Sequence, residues 1–247
     1  MSIKYQLRKF IQRLGYDLTR FPAVTPAMLR RKQMLAAYAI DTVLDVGANT
    51  GQFARHLRHE AGYTRRILSF EPLSAAFATL QHHAQGDPAW EVFHHALGDA
   101  DQQQTINIAG NSYSSSLLAM LPAHEHSAPH SRYVGQETVT VKTLDSLFDT
   151  LCPHARHIYL KLDTQGFESR VLRGAERSLP RIDTVELEMS LTPLYAGEIL
   201  FPEMYRLLSE KGYTLVALDE EFADPASGQV LQVNGVFHRS GTAPGNG

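Results

Sequence analysis

The sequence predicts an α/β protein: a mostly parallel sheet with helices on both faces. Three observations predict it. From Asp41 onward, short apolar runs alternate with helical stretches, the pattern of parallel strands joined by crossover helices. The first run, Thr42–Val46, enters a glycine-bearing turn and then a helix from about Thr50. The last two runs, Tyr213–Leu218 and Val230–His238, have no helix between them. So short a connection makes an antiparallel pair, because a parallel return needs about a dozen residues or more of crossover.

The elements follow in order. Residues 3–14 place Ile3, Leu7, Phe10, Ile11 and Leu14 at helical spacing, with Lys4, Arg8, Lys9 and Arg13 on much of the other face. Thr25 and Pro26 open a second helix, to about Ala39, with a hydroxyl cap and a proline at its first position. Strands are expected at Thr42–Val46, Arg66–Phe70, Trp90–His95, Gln104–Ile108, Val139–Lys142, Ile158–Leu162 and Thr184–Met189, besides the final pair. Helices are expected at Ser74–Ala84, Leu144–Leu151, Glu168–Leu179 and Pro202–Lys211. The domain division is a helical extension over residues 1–40, one catalytic domain over 41–240, and a mobile tail over 241–247.

Composition narrows the class. With 247 residues, 43% hydrophobic and 20% charged, the chain can bury a sizeable core. Its 26 acids and 23 bases give a net charge of −3, which lacks the basic footprint of a nucleic-acid binder. The lone cysteine, Cys152, excludes an intrachain disulfide and a cysteine-built zinc site. No apolar run reaches the length of a membrane span and no secretion signal is evident, so the expected setting is cytoplasmic.

The most informative segment runs from Val43 to Phe53. A buried strand meets Gly47, and Gly51 follows where a helix starts, which lets the chain turn sharply and a ligand come close. Amides at that helix start would attract a carboxylate or phosphate. Ala48 and Asn49 separate Gly47 from the next residues of the turn, so the dinucleotide spacing is absent. Glu71, before Pro72 at the end of the second strand, stands where an acid grips a ribose diol, about 20 residues past the glycines. With Asp45 before the turn, these features describe an adenosine-type ligand ending in an amino acid, S-adenosylmethionine.

The segments LDVGANTGQFA, SFEP, HALGD, YLKLDTQGFESRVLRGA and VELEMSLTPLY, in this order between about Thr42 and Phe237, resemble the FkbM family of S-adenosylmethionine-dependent methyltransferases. The resemblance implies a class I methyltransferase (Rossmann-like) fold with a seven-stranded sheet carrying one antiparallel strand. It also implies O-methylation of a hydroxyl on a sugar, glycan or related natural product. Asp45, Gly47, Ala48, Asn49, Gly51, Gln52 and Glu71 are the expected cofactor-binding residues, with Ala96 and Leu97 flanking the adenine. Residues 1–40 lie outside the resemblance.

Asp163 and Glu188, each near the end of a strand, are the catalytic candidates. A hydroxyl nucleophile benefits from a base, and two carboxylates on neighbouring strand ends can supply a base and an orienting partner. They can also hold a divalent metal, which the sequence leaves undetermined. The bland alternatives are a helix cap for Asp163 and a salt-bridged edge residue for Glu188. Glu186 shares the face of Glu188, an acidic pair that needs partners if buried. Lys161 reads as a structural ion-pair partner. The stretch from Asn111 to about Gln136, holding His124, His126 and His130, reads as a long loop that can act as a lid, its histidines solvated. Thr192–Gly197 is a candidate wall of the acceptor pocket.

Two rival readings remain. One is a non-catalytic S-adenosylmethionine-binding or assembly module on the same scaffold. The other is an NAD-linked reductase, disfavoured because its Y-x-x-x-K spacing occurs only at Tyr5 and Lys9, ahead of the turn. Arg30, Arg31 and Lys32 with the basic first helix could meet a lipid surface or a second copy of the chain; a solvated or core-packed helix face is the preferred reading.

Overall fold

The computed structural model describes residues 3–13 and 25–239. In chain order its elements are α1 (Ile3–Arg13), α2 (Pro26–Ala37), β1 (Thr42–Val46), α3 (Gln52–His56), β2 (Arg66–Phe70), α4 (Ser74–Ala84), β3 (Trp90–Phe93), β4 (Ala96–Leu97), β5 (Gln102–Ala109), α5 (Pro122–Ser127), β6 (Tyr133–Lys142), α6 (Leu144–Leu151), β7 (Ile158–Leu162), α7 (Glu168–Arg173), β8 (Thr184–Ser190), α8 (Phe201–Glu210), β9 (Tyr213–Ala223) and β10 (Val230–Arg239). Leu14 and the tail 241–247 lie outside the described residues.

Seven strands form one sheet in the order β3-β2-β1-β7-β8-β10-β9. The strands from β3 to β8 are parallel, and β10 runs antiparallel to both β8 and β9. The expected mostly parallel sheet with one antiparallel strand is therefore the observed one. Every residue of β1 is buried. Leu44, Leu68 and Leu160 pack on one face of the sheet, and Val43, Ile67 and Tyr159 on the other. This alternation is why β1 reads as an unbroken apolar run. The strand order reverses at β1, which pairs with β2 on one side and β7 on the other. Ligands bind beyond the carboxyl ends of strands at such a reversal.

Three strands stand apart. β4, β6 and β5 form a second sheet, with β6 in the middle. The sequence reading begins β6 at Val139, but the strand starts at Tyr133, because its polar first half pairs with β5 as far as Ala109. It also extends β3 to His95, where the strand ends at Phe93. The expected single helix Glu168–Leu179 is α7, ending at Arg173, followed by turns and a 3-10 turn at Leu179–Arg181. Gly174 explains the break: a Cβ there would lie 1.8 Å from the carbonyl oxygen of Gly98, so the helix ends in a close backbone crossing.

Helix α2 belongs to the packed body. The Thr25 hydroxyl accepts from the Met28 amide at 3.2 Å, the predicted cap. Met28 and Leu35 are buried in a cluster with Ala54, Leu57 and Tyr159. Arg30 reaches Asp219 of β9 at 2.7 Å.

Candidate active site

A cleft of about 460 Å³ opens at the carboxyl ends of β1, β2, β7 and β8. Among the expected cofactor residues, Gly47, Ala48, Asn49, Gln52, Glu71, Ala96 and Leu97 line it, and so do the catalytic candidates Asp163 and Glu188. Asp45 and Gly51 do not line it.

Gly47 has φ +76, and a Cβ there would meet the Asp163 carbonyl oxygen at 1.8 Å. Its missing side chain thus lets the turn after β1 press against the end of β7. Gly51 has a different reason from the expected one. A Cβ would strike Leu80 and Trp90 at 2.8–2.9 Å, so that glycine serves packing beneath the turn, not approach of a ligand. The turn's amides are also committed internally. Gly47 and Ala48 donate to the Phe70 carbonyl (3.1 and 3.0 Å), Gly51 to the Ala48 carbonyl (2.8 Å), Thr50 to Asn49 Oδ1 (2.9 Å), and Asn49 to Glu71 Oε2 (2.7 Å). The amides from Gly47 to Gly51 are therefore not available to an anion, so of the anion site expected at the helix start only the amides of α3 from Gln52 on are left.

Glu71 ends β2 inside the cleft. Its two carboxylate oxygens accept from the Asn49 and Leu73 amides at 2.7 and 2.8 Å. Burial pushes its pKa up to about 7, against the pull of those two hydrogen bonds. Each oxygen keeps a lone pair for a diol.

Asp45 is a correction to the cofactor-contact reading. Its side chain is fully buried behind the cleft, because residues at the same register of β1, β2 and β7 share one face: Asp45 lies beside Ser69 and Lys161. Trp90 Nε1 donates to Ser69 Oγ (3.0 Å), which donates to Asp45 Oδ2 (3.1 Å). Lys161 Nζ lies 3.4 Å from Asp45 Oδ1 as an ion pair without hydrogen-bond geometry, and donates to Asp163 Oδ2 at 3.1 Å. Burial disfavours the Lys161 charge, but Asp163 and Asp45 outweigh it and hold its pKa above the ordinary value. Asp45 therefore fixes the lysine that faces Asp163.

Asp163 and Glu188 are brought together by a residue the sequence reading missed. Gln165 Nε2 donates to Asp163 Oδ1 at 2.9 Å and to Glu188 Oε2 at 2.7 Å. Tyr195 donates to Gln165 Oε1 at 2.7 Å, which sets the amide's orientation, and Ser116 Oγ donates to the Gln165 carbonyl at 2.7 Å. Gln165 takes φ +56, a conformation costly for a long side chain, of order 1–3 kcal/mol. Its place between strand end and glycine was the available signal. Burial first, then the charges of Asp163, Glu221 and Glu168, push the Glu188 pKa well up. The pair thus joins a carboxylate beside a lysine to a carboxyl group that favours its proton.

Glu186 also lines the cleft, and its partners are now visible. Arg31 of α2 donates to it through Nε at 2.9 Å and through Nη2, and the Tyr159 hydroxyl donates as well. Glu168 is buried and accepts from the Thr164 amide at 2.8 Å. Burial raises its pKa from 4.5 to about 7. The folded state therefore holds a proton that the unfolded chain releases at lower pH. Stability from this group is full below about pH 4.5 and is lost as pH rises through about 7. Glu168→Gln is expected to remove that part of the slope, about 3 kcal/mol at most, in urea unfolding followed from pH 5 to pH 8; an unchanged slope would refute it.

The connection after β5 is built differently from the expected long loop. It contains α5 and ends at Arg132, and its Ser112, Tyr113, Ser115, Ser116 and Leu117 form a cleft wall. His124 is buried against Tyr195 and Phe222, not solvated, whereas His126 and His130 are exposed. Burial lowers the His124 pKa to about 4. Tyr195 does not line the cleft; it packs against Gly166 and holds Gln165 from behind. Among the described residues no group of His, Cys, Asp and Glu is arranged to hold a metal ion, and no helix is long and apolar enough to cross a membrane.

The strand order, the lone antiparallel strand and a cleft at the β1 reversal define a class I methyltransferase (Rossmann-like) fold. A profile of the methyltransferase FkbM domain matches residues 45–215. The chain belongs to the FkbM methyltransferase family. No curated protein matches it in sequence. Among solved structures it is similar to an uncharacterized protein from Listeria monocytogenes (8% identity, 88% of this chain and 69% of that one, TM-score 0.47). It is also similar to methyltransferase FkbM from Methylobacillus flagellatus (16%, 79% and 43%, 0.46) and to TehB from Haemophilus influenzae (9%, 88% and 63%, 0.46). The chain thus spans less than half the length of the Methylobacillus protein.

Proposed function

We propose that the protein is an S-adenosylmethionine-dependent O-methyltransferase acting on a hydroxyl of a sugar, glycan or related natural product. The observation that carries this reading is a single cleft lined both by Glu71 and by the Asp163–Gln165–Glu188 cluster. The cofactor fits the donor set. Glu71 offers a buried carboxylate to a ribose diol, Ala96 and Leu97 face the base, and Gly47, Ala48, Asn49 and Gln52 line the part of the cleft left for the amino-acid end. A cleft of about 460 Å³ is within the range of small-molecule sites. When bound, the cofactor supplies an electrophilic methyl group.

The chain's own residues do the rest. Asp163 takes the proton of the acceptor hydroxyl, and Lys161 at 3.1 Å keeps its carboxylate in place. Glu188, protonated, donates to an acceptor oxygen and orients it. Gln165 fixes the spacing of the two. The Ser112–Leu117 wall limits water.

The test is calorimetry with S-adenosylhomocysteine, followed by incubation with methyl-labelled cofactor and a panel of methyl glycosides and glycans. Mass spectrometry should show one added methyl group on a hydroxyl. No association with S-adenosylhomocysteine would refute the cofactor assignment. Binding without transfer to any hydroxyl-bearing acceptor would favour the non-catalytic module.

A further inference from the structure

The amino-acid end of S-adenosylmethionine carries a carboxylate at neutral pH, and that charge needs a partner in the cleft. The glycine turn does not offer its amides, since those from Gly47 to Gly51 all donate within the protein. Two permanent cations line the cleft, Lys161 and Arg31. Lys161 is taken by Asp163 and Asp45. Arg31 is half used. Of the five N–H groups of a guanidinium, Glu186 takes one from Nε and one from Nη2. The Tyr159 hydroxyl is a further hydrogen-bonding neighbour of the guanidinium, which leaves about two N–H groups without a protein acceptor among the described residues.

The position suits the task. The Arg31 guanidinium carbon lies 5.2 Å from the ring centroid of Phe53, which stands on α3 just after the glycine turn. Its side chain is 15% exposed while lining the cleft, so its charge is little screened. Glu186 and Tyr159 anchor one edge, which leaves the free edge in a fixed orientation. This arginine stands on α2, outside residues 45–215 matched by the family profile.

Resting on the cofactor reading above, we propose that Arg31 is a cofactor-binding residue: its free guanidinium edge holds the carboxylate of the cofactor's amino-acid part. The N-terminal extension thereby completes the cofactor site.

The test is calorimetry on the full chain with three probes: S-adenosylmethionine, its decarboxylated analogue, and 5′-methylthioadenosine, which lacks the amino-acid part. The wild type should prefer S-adenosylmethionine to the decarboxylated analogue by about tenfold or more, the scale of one hydrogen-bonded charge pair. Arg31→Gln alone would strand the Glu186 charge, so the double variant Arg31→Gln/Glu186→Gln is used beside Arg31→Lys. The double variant should lose the preference, the lysine variant should keep part of it, and methylthioadenosine affinity should stay within about twofold of wild type. A preference retained in the double variant, or equal losses for all three probes, would overturn the assignment. Should the wild type bind none of the probes, the cofactor reading itself falls, and Arg31's role with it.

Discussion

Replacing Asp163 by Asn is expected to cut turnover roughly 100- to 10,000-fold, the range for loss of a general base, while S-adenosylhomocysteine affinity stays within about threefold. The geometry separates the two effects. Asp163 accepts from Lys161 Nζ and Gln165 Nε2, one on each oxygen. An asparagine offers only one acceptor oxygen, so one of those donors loses its partner. Lys161 keeps Asp45 at 3.4 Å, and Gln165 keeps Glu188, Tyr195 and Ser116. The local frame therefore survives, and Glu71 keeps its hydrogen bonds from the Asn49 and Leu73 amides. What disappears is the carboxylate able to take a proton. Steady-state kinetics and calorimetry on the same preparation check this. Equal losses of turnover and affinity would make Asp163 a cofactor-binding residue instead of a base.

Gly47→Ala is expected to destabilise the fold by more than about 4 kcal/mol, the range reserved for severe steric or burial faults, or to yield no folded protein. The new Cβ would lie 1.8 Å from the Asp163 carbonyl oxygen, and the obstacle is backbone at the centre of the sheet. Neither β1 nor β7 can retreat, since each residue of β1 is paired on both sides. Gly62→Ala is the matched control. It has a similar φ, +69 against +76, but nothing lies within 4 Å of its Cβ. Only the left-handed backbone penalty of about 1–2 kcal/mol is left there. Denaturant unfolding of both variants gives the comparison. Similar losses would show that the approach of turn to strand end is not tight.

The bounds of β1, β2, α4, α6 and β7 agree between sequence and structure because each rests on local chemistry: an apolar run, a flanking glycine or proline, a hydroxyl cap. β6 and β9 are longer than expected for the opposite reason. Their polar residues look like loop until a partner strand supplies backbone pairing, as Glu220 opposite Val233 does in β9. His124 is a similar case. Its neighbours in sequence are polar, and the apolar contacts that bury it, Tyr195 and Phe222, come from distant parts of the chain.

At the candidate site, Glu71, Asp163 and Glu188 were legible because strand periodicity tells which residues stand at carboxyl ends, and parallel strands put those ends together. The partners were not. Arg31 and Glu186 are 155 residues apart, and no local pattern pairs them. Asp45 lies within β1, level with Ser69, and Glu71 one residue past the end of β2, so register hides one beneath the sheet end and leaves the other in the cleft. Short-range periodicity and turn chemistry thus dictate which elements exist and which carboxylates reach the rim. Which of them meets a lysine, an amide or an arginine depends on strand register and packing, interactions between residues far apart in the chain whose energies exist once the elements are assembled.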